Sequence, residues 1–515
     1  MDEKQARWWT ARLYSQLMLR NRRTEKFERY YSGEFDTPWL PAEAQDDFKR
    51  IVHMTRSNYM GLVVDAMVER MNLIGFRREG EGDDDKDLWA IWKGNRISTQ
   101  HNKGLIEAAI HGCFYYMVEP PAPKRPDLPR IYVESPTQCI VEHVPGTNRR
   151  EAAAGLKAWI DEWTGMIYAT LYLPDMIIKW QAKNPNAGNN ELAVEMPGEQ
   201  RLAELMNMWR PRDTEGEAWV NGNPLGEVPL IESPNNPRLL TGGRSELDDL
   251  WPVQDRVNKT IADRMITQDY GAFPQKWSTG WPAENEDGSP VDPLLIGRKR
   301  IITTDVVETK FGQFEAAALD PYSAAKREDV IDIASRSRTP PHYLISGLSS
   351  QNSTTLKAAE SGLVSKVTQR NRDHSDSAVD AIRLAGSTVR LELGDDIEAL
   401  WANPEFRTQA ETTDSLIKMK QAADMPTIVV WEKWGATPPE IERWKKLRDE
   451  EKEEEMQRAT LYDPATALAE QMRTQQDPQD GYVSGDDQKN GDPLPGGGKP
   501  ADDPQKVNTP NGVTA

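Results

Sequence analysis

The sequence predicts an α+β protein, mainly helical, and three observations carry that expectation. Between Ser233 and Leu363 the pattern reads as a helix, a small β-rich excursion, a returning helix, a polar loop and a very long helix. From Phe114 to Lys183 the apolar runs shorten to strand length. The chain has 515 residues, 37% of them hydrophobic and 17 of them Trp, which is apolar material for more than one core.

The elements come in order along the chain. Trp8, Ala11, Leu13, Leu17 and Leu19 recur at near-helical spacing. Ile51, Met54, Tyr59, Leu62, Val63, Ala66, Met67, Val68 and Met71 make a second amphipathic run ending at Gly75. Phe27, Tyr30 and Tyr31 serve as core anchors before the breaker Gly33, and residues 33–41 form a loop. FYYMVEP, RIYVES, QCIVEHV, KAWIDEW, MIYATLYL and MIIKWQ, separated by Pro, Gly and Asn/Asp clusters, predict an antiparallel sheet. A short helix is expected around residues 200–209, and GEVPLIESPNNP is an extended, Pro-punctuated approach to the outgoing helix.

That outgoing helix carries Leu247, Leu250, Val257, Ile261 and Met265 on one stripe; Pro252 either kinks it or makes it start afresh. The returning helix begins with Asp320 as N-cap and Pro321 at the first helical position, and stops at Thr339-Pro340-Pro341. The long helix runs from about residue 354 to 393, roughly 60 Å at helical rise. Its middle, QRNRDHSDS, is polar all round, a pattern expected of a helix spanning between separate packing surfaces. Then come a helix in AETTDSLIKMKQAAD, a short apolar segment MPTIVVWEKWGA, and a last helix opened by a Thr437 to Glu440 capping box, with Ile441, Trp444 and Leu447 facing inward.

Charge is strongly negative, 63 Lys+Arg against 82 Asp+Glu, a net of −19. That balance argues against a protein that grips nucleic acid by neutralising phosphates. Six basic and fifteen acidic residues lie from Asp449 onward, close to half the excess. Residues 462–515 are rich in Gly, Pro, Asp and Gln and are expected to be a disordered acidic tail. The run DEEKEEE reads as a solvated helix face. With only Cys113 and Cys139, a disulfide framework is not expected and a reducing environment fits. MDEKQARWW lacks the apolar region of a signal peptide, and no apolar run is long enough to span a bilayer; a soluble intracellular product is expected.

Reaction chemistry is absent from the motif inventory. Gly496-Gly497-Gly498-Lys499-Pro500 lacks the hydroxyl residue of a phosphate loop, and no H-E-x-x-H, C-x-x-C or G-x-S-x-G occurs. His53, His101, His111, His143, His342 and His374 are dispersed without metal-ligand spacing. Asp83, Asp84, Asp85 and Asp87 read as an exposed loop rather than a cation site. No cofactor, metal or catalytic residue is expected. A soluble enzyme or host-interaction factor without a recognisable motif is the alternative.

NPRLLTGGRSELDDLWPVQDRVNKTIADRMITQDYGAFPQKWSTG and PPHYLISGLSSQN, in that order, resemble the portal, or head-to-tail connector, proteins of tailed bacteriophages, in the branch common in phages of actinobacteria. YYSGEFDTPWLPAEAQDDFKRIVHMTRSNYMGLVVDAMVERMNLIGF is similar to that family's opening and IVVWEKWGATPPEIERWKKL to its closing helices. The resemblance covers about residues 10–450.

What the resemblance implies is a portal fold with wing, stem, clip and crown regions around an axial channel. The wing would comprise 1–244, the stem helices 245–270 and 320–338, the clip 271–319, the tunnel loop 339–353, the long wing helix 354–409 and the crown 410–461. It implies a ring, typically of twelve copies, at one capsid vertex, through which double-stranded DNA is packaged and ejected. Its implied partners are further copies of itself, the major capsid protein, the terminase large subunit and, later, a head-tail adaptor, with no membrane. It would be a virion component assembled in the host cytoplasm. Gly347, Ser349, Ser350, Gln351, Asn352 and Ser353, small and neutral, would face the DNA. Arg298, Lys299 and Arg300 in the clip would face a docking partner. Twelve helices side by side at about 10 Å make a circle roughly 38 Å across with a bore near 28 Å, enough for B-DNA.

Overall fold

The computed structural model describes residues 2–39, 52–78, 86–149, 151–184, 199–212, 218–272, 276–280, 307–315, 317–345, 353–391, 393, 396–405, 409–436 and 438–461. The chain divides into two compact units, 1–443 and 444–515. The architecture is mixed α+β and mainly helical.

Helix α1 (Glu3–Tyr31) starts at a capping box: Asp2 Oδ1 accepts from the Gln5 amide at 2.7 Å, and the Gln5 side chain accepts from the Asp2 amide. Its face of Ala11, Leu13, Tyr14, Leu17 and Met18 is buried, while Trp8 and Leu19 stand off that face; Trp8 is 37% exposed and stacks edge-on against Trp9. The next expected run does not stay helical. It breaks into a short 3-10 turn (Val52–Thr55), helix α2 (Met60–Val68) and strand β1 (Leu73–Arg78), which contains Gly75. Helices α3 (Lys86–Gly94) and α4 (Ile97–His111) come after it, the second closed by Gly112 at φ +93°.

Nine strands come next: β2 (Cys113–Glu119), β3 (Arg130–Glu134), β4 (Cys139–His143), β5 (Ala152–Ile160), β6 (Met166–Tyr172), β7 (Met176–Lys183), β8 (Arg210–Pro211), β9 (Val220–Gly222) and β10 (Leu230–Pro234), with helix α5 (Glu199–Met208) between β7 and β8. They form two antiparallel sheets rather than the expected one. Strands β10-β2-β3 make the first; β4-β5-β6-β7-β8, with β9 beside β7, make the second. The break lies in the turn at 135–138, whose geometry is fixed from α1. There the Arg20 guanidinium donates to the carbonyls of Pro136 and Cys139 and to Tyr115 Oη (2.7 Å), and Asn21 Nδ2 donates to the Thr137 carbonyl at 2.7 Å, so α1 satisfies the middle of the turn while the Gln138 carbonyl accepts from Ala158 of β5 at 2.8 Å. Alternation along β2 serves two cores: Phe114, Tyr116 and Val118 enter the large helical core, while Cys113, Tyr115 and Met117 pack with Val228 and Leu230. Cys113 and Cys139 are both buried and unbonded.

Helix α6 (Trp251–Ala272) begins afresh at Trp251 with Pro252 in its first turn, where a missing N–H costs nothing; residues 246–250 form turns before it. Strands β11 (Lys276–Thr279) and β12 (Lys310–Gln313) pair antiparallel beyond it. Helix α7 (Asp320–Ser337) starts one residue earlier than the sequence suggests. Leu319 occupies the N-cap and makes no side-chain cap bond, so Asp320 serves as first-turn acid. The helix ends at Arg338, in the left-handed region at φ +57°, before Thr339-Pro340 and a single turn, α8 (Pro341–Leu344).

Helix α9 (Ser353–Thr388) spans 36 residues and leads to β13 (Ile397–Trp401), which pairs antiparallel with β1. Its polar middle does not bridge through solvent. Lys366, Arg370, Asn371, His374 and Ser377 are all buried, and the helix packs on β2, β10 and β13. Helices α10 (Gln409–Ala423) and α11 (Thr427–Trp434) come next; the apolar segment MPTIVVWEKWGA is therefore helical, closed by Gly435 at φ +97°. Thr437, the expected cap of α12 (Pro438–Leu461), lies outside the described residues. Ile441 is buried in the first unit; in the second, Trp444 is half-buried and Leu447 is 46% exposed, contrary to its expected inward position.

Candidate functional site

Two antiparallel helices, α6 and α7, carry the β11-β12 pair at their far end. Val253, Val257, Ile261 and Ala262 are buried on one helix and Val330, Ile333 and Ala334 on the other. Their outer faces are tied by charge: Arg256 Nη2 lies 2.7 Å from Asp332 and 3.3 Å from Asp329, and Arg336 Nε lies 2.8 Å from Asp332. Solvent screens these surface pairs, so they orient the two helices more than they stabilise them. At the strand pair, Trp277 lies across from Gly312, and a Cβ there would fall 2.3 Å from the indole. Gly312 is what lets the ring lie flat on the strand.

The root of the helix pair is built from backbone and one carboxylate. Asn235 Nδ2 donates to the Arg244 carbonyl at 2.8 Å and to Glu246 Oε1 at 2.9 Å, and the Glu246 amide donates to the Ala109 carbonyl at 2.8 Å. Gly243 passes so close to Gly112 that a Cβ would fall 1.7 Å from its carbonyl oxygen. Glu246 then meets two cations of α9: Lys366 Nζ at 2.8 Å and Arg370 Nε at 2.6 Å. Burial by itself would raise this carboxyl; Lys366 and Arg370 outweigh it and hold the group down to about 2. Lys366 Nζ also donates to the Ser337 carbonyl at 3.1 Å, the last residue of α7. One ammonium thus joins the turn that leads into α6, the end of α7 and the long helix α9. Eight residues on from Lys366, His374 Nδ1 meets Ser233 Oγ at 2.8 Å, and burial lowers that imidazole to about 3.

A second clasp holds the segment before α2. Gln254 and Asn258, one turn apart on α6 and fully buried, receive it: the Asn258 side chain accepts from the Ser57 amide at 3.1 Å and the Gln254 side chain from the Tyr59 amide at 3.1 Å. Gln254 Nε2 returns a bond to the Ser57 carbonyl at 2.6 Å. These amides replace ladder partners for an extended stretch, which is why the sequence run breaks there.

The polar loop begins and ends at ordered feet. On one side stand His342 and Tyr343, on the other Glu360; Arg70 reaches both, lying 3.6 Å from Glu360 and bonded to Tyr343 Oη, with His342 3.7 Å from Glu360. Gly347, Ser349, Ser350, Gln351 and Asn352 lie outside the described residues, and Ser353 is described as the first residue of α9. Arg298, Lys299 and Arg300 also lie outside the described residues.

Sequence reasoning passed over Glu246, Lys366, Arg370, Gln254 and Asn258. The signal was present as spacing: Lys366, Arg370 and His374 stand at i, i+4, i+8 on one face of α9, as Gln254 and Asn258 stand at i, i+4 on α6. Among the described residues no cluster of His, Cys, Asp or Glu has the arrangement of a metal site, and no helix is long and apolar enough to cross a membrane.

A helix pair that carries strands at its far end and is rooted in an α+β body by buried charge marks a structural subunit. The chain belongs to the phage portal protein family, SPP1 Gp6-like, whose model matches residues 13–455. It is 26% identical over 381 residues to the portal protein of Mycobacterium phage D29, covering 70% of this chain and 72% of that one. To the portal protein of Mycobacterium phage L5 it is 26% identical over 382 residues, covering 70% and 71%. The family is a structural component of the phage particle, not an enzyme.

Proposed function

We propose that this chain assembles as a ring of about twelve copies at one capsid vertex and that the ring is the conduit for double-stranded DNA during packaging and ejection. The observation that carries the reading is the α6/α7 pair bracketing the β11-β12 strands. In a ring these helices would be the stem and the strands part of the clip. The body before them would be the wing, and α10 to α12 the crown. Gly347, Ser349, Ser350, Gln351, Asn352 and Ser353 would touch DNA as it passes; small neutral side chains contact phosphates without fixing their register. The net charge of −19 supports passage rather than retention, because no large surplus of cations is available to form long-lived phosphate contacts. Arg298, Lys299 and Arg300 would meet the terminase large subunit during filling and a head-tail adaptor afterwards. The rim of the ring would contact the major capsid protein, after assembly in the host cytoplasm.

Electron microscopy of the purified protein and of particles viewed down the portal axis tests this. Closed rings of about 600 to 800 kDa are expected. Persistent monomers at every salt concentration, with no ring in particles, would sink the reading.

A further inference from the structure

Trp163 stands at a rigid tip and is 96% exposed, the most of any large hydrophobic side chain but Val307 among the described residues. The tip joins β5 to β6. Asp161 accepts from the Thr164 amide at 3.2 Å, its carbonyl accepts from Gly165 at 2.7 Å, and its own amide donates to the Met166 carbonyl at 2.9 Å. Gly165 takes φ +65°. Glu162, beside the indole, is exposed. An indole held out in water beside a carboxylate has no role in this fold's own cores.

At the other end of β5 lies a trough of about 370 Å³ with the opposite character. Its walls include Val144, Pro145 and two leucines, Leu239 and Leu240, that are 82% and 85% exposed. The leucines sit on a tight turn closed by reciprocal bonds of 3.3 Å between the Arg238 and Thr241 backbones. Arg238 is exposed, and its side chain has no acidic partner among the described residues. The acids nearby are already engaged: Glu142 by Arg12 at 2.8 Å, and Glu232 by Arg149. The trough therefore has apolar walls beside Glu142 and Arg149, which are already paired, and Arg238 stands next to it, on the turn that carries the leucines, as a spare cation in a protein whose net charge is −19.

We propose that the Glu162-Trp163 tip of one copy seats in the Leu239-Leu240 trough of the next, with Glu162 facing Arg238. The occupant is a second copy because Glu162 on the tip and Arg238 beside the trough are opposite in charge and the two features lie at opposite ends of one strand. Nine extended residues separate them, about 30 Å, too far to meet within one chain. A contact between two different surfaces of the same subunit is the head-to-tail kind, which closes into a ring when its rotation is a whole fraction of a turn. Exposed Trp and Leu supply the apolar anchor, and the flanking charges set direction. The inference rests on the ring proposed above and assigns it one of its subunit contacts.

The test is oxidative cross-linking of assembled protein carrying Trp163→Cys and Leu239→Cys together. A ladder of covalent multimers on non-reducing gels is expected from the double variant and not from either single one; the native Cys113 and Cys139 are buried. Independently, Glu162→Lys and Arg238→Glu should each reduce ring yield about fivefold or more, and the combined charge swap should recover at least half of it. Rings that form normally, give no ladder and ignore both reversals overturn this contact while leaving the ring intact. Wild-type protein that never forms rings overturns the ring itself.

Discussion

Lys366 Nζ lies 2.8 Å from Glu246 Oε2, with both side chains under a tenth exposed. The pair closes across 120 positions of sequence and fixes the long helix to the root of the helix pair. Arg370 completes the site from the next turn, so the carboxylate has two cations and the Asn235 amide around it.

Removing the charge at the centre should be costly. Glu246→Gln leaves Lys366 buried without a counter-ion and Arg370 with only Asp373 at 3.5 Å, and a loss of about 3 to 5 kcal/mol is expected. Lys366→Met, which leaves the Glu246-Arg370 pair in place, should cost less. Chemical denaturation of both variants would check the order, and equal losses would count against the assignment.

Acid stability should fall in two stages. Burial lowers His101 and His374 to about 3 from an ordinary 6.5, so the unfolded chain binds protons first as pH drops below 6.5. Each then withdraws up to about 1.4 kcal/mol per pH unit until its folded value is reached. Glu246, held at about 2 against an ordinary 4.5, adds its own loss between those values. A melting curve against pH should therefore begin to decline near 6.5 and steepen below 4.5. Glu246→Gln should remove its share of the steeper limb.

Charge placed on the loop should act on DNA and not on assembly. Ser349→Arg with Gln351→Arg would add phosphate contacts in every copy, so packaging should slow, and more so at low salt. Charge reversal at Arg298 and Arg300 should instead weaken motor association. Packaging assays alongside ring counts separate the two; packaging unchanged by the loop variant would argue against DNA contact there.

Much of this architecture is legible in the residues, and the exceptions share a cause. Pro321 and Thr339-Pro340 mark the ends of α7 because proline acts locally, whatever the chain does elsewhere. The strands β2 to β7 are readable from alternation and turn residues. Their division between two sheets is not, because it depends on Arg20 reaching the 135–138 turn from α1. The middle of α9 reads as a span between separate packing surfaces when its charges are counted alone. It is buried because Glu246 and Ser233 supply partners that no local window contains. Leu447 departs from its expected place for the converse reason, since an apolar residue does not guarantee a surface to cover it.

The pairing of β1 with β13 sets a timetable for synthesis. Phe76 is matched with Ala399, so the second strand leaves the ribosome 323 residues after the first. At about 5 to 20 residues per second that is a wait of tens of seconds. During the wait the early strand has an open edge, the feature that invites mispairing between crowded nascent chains. Closure of this pair therefore waits on the later strand, and a chain whose synthesis stalls between the two keeps that edge open.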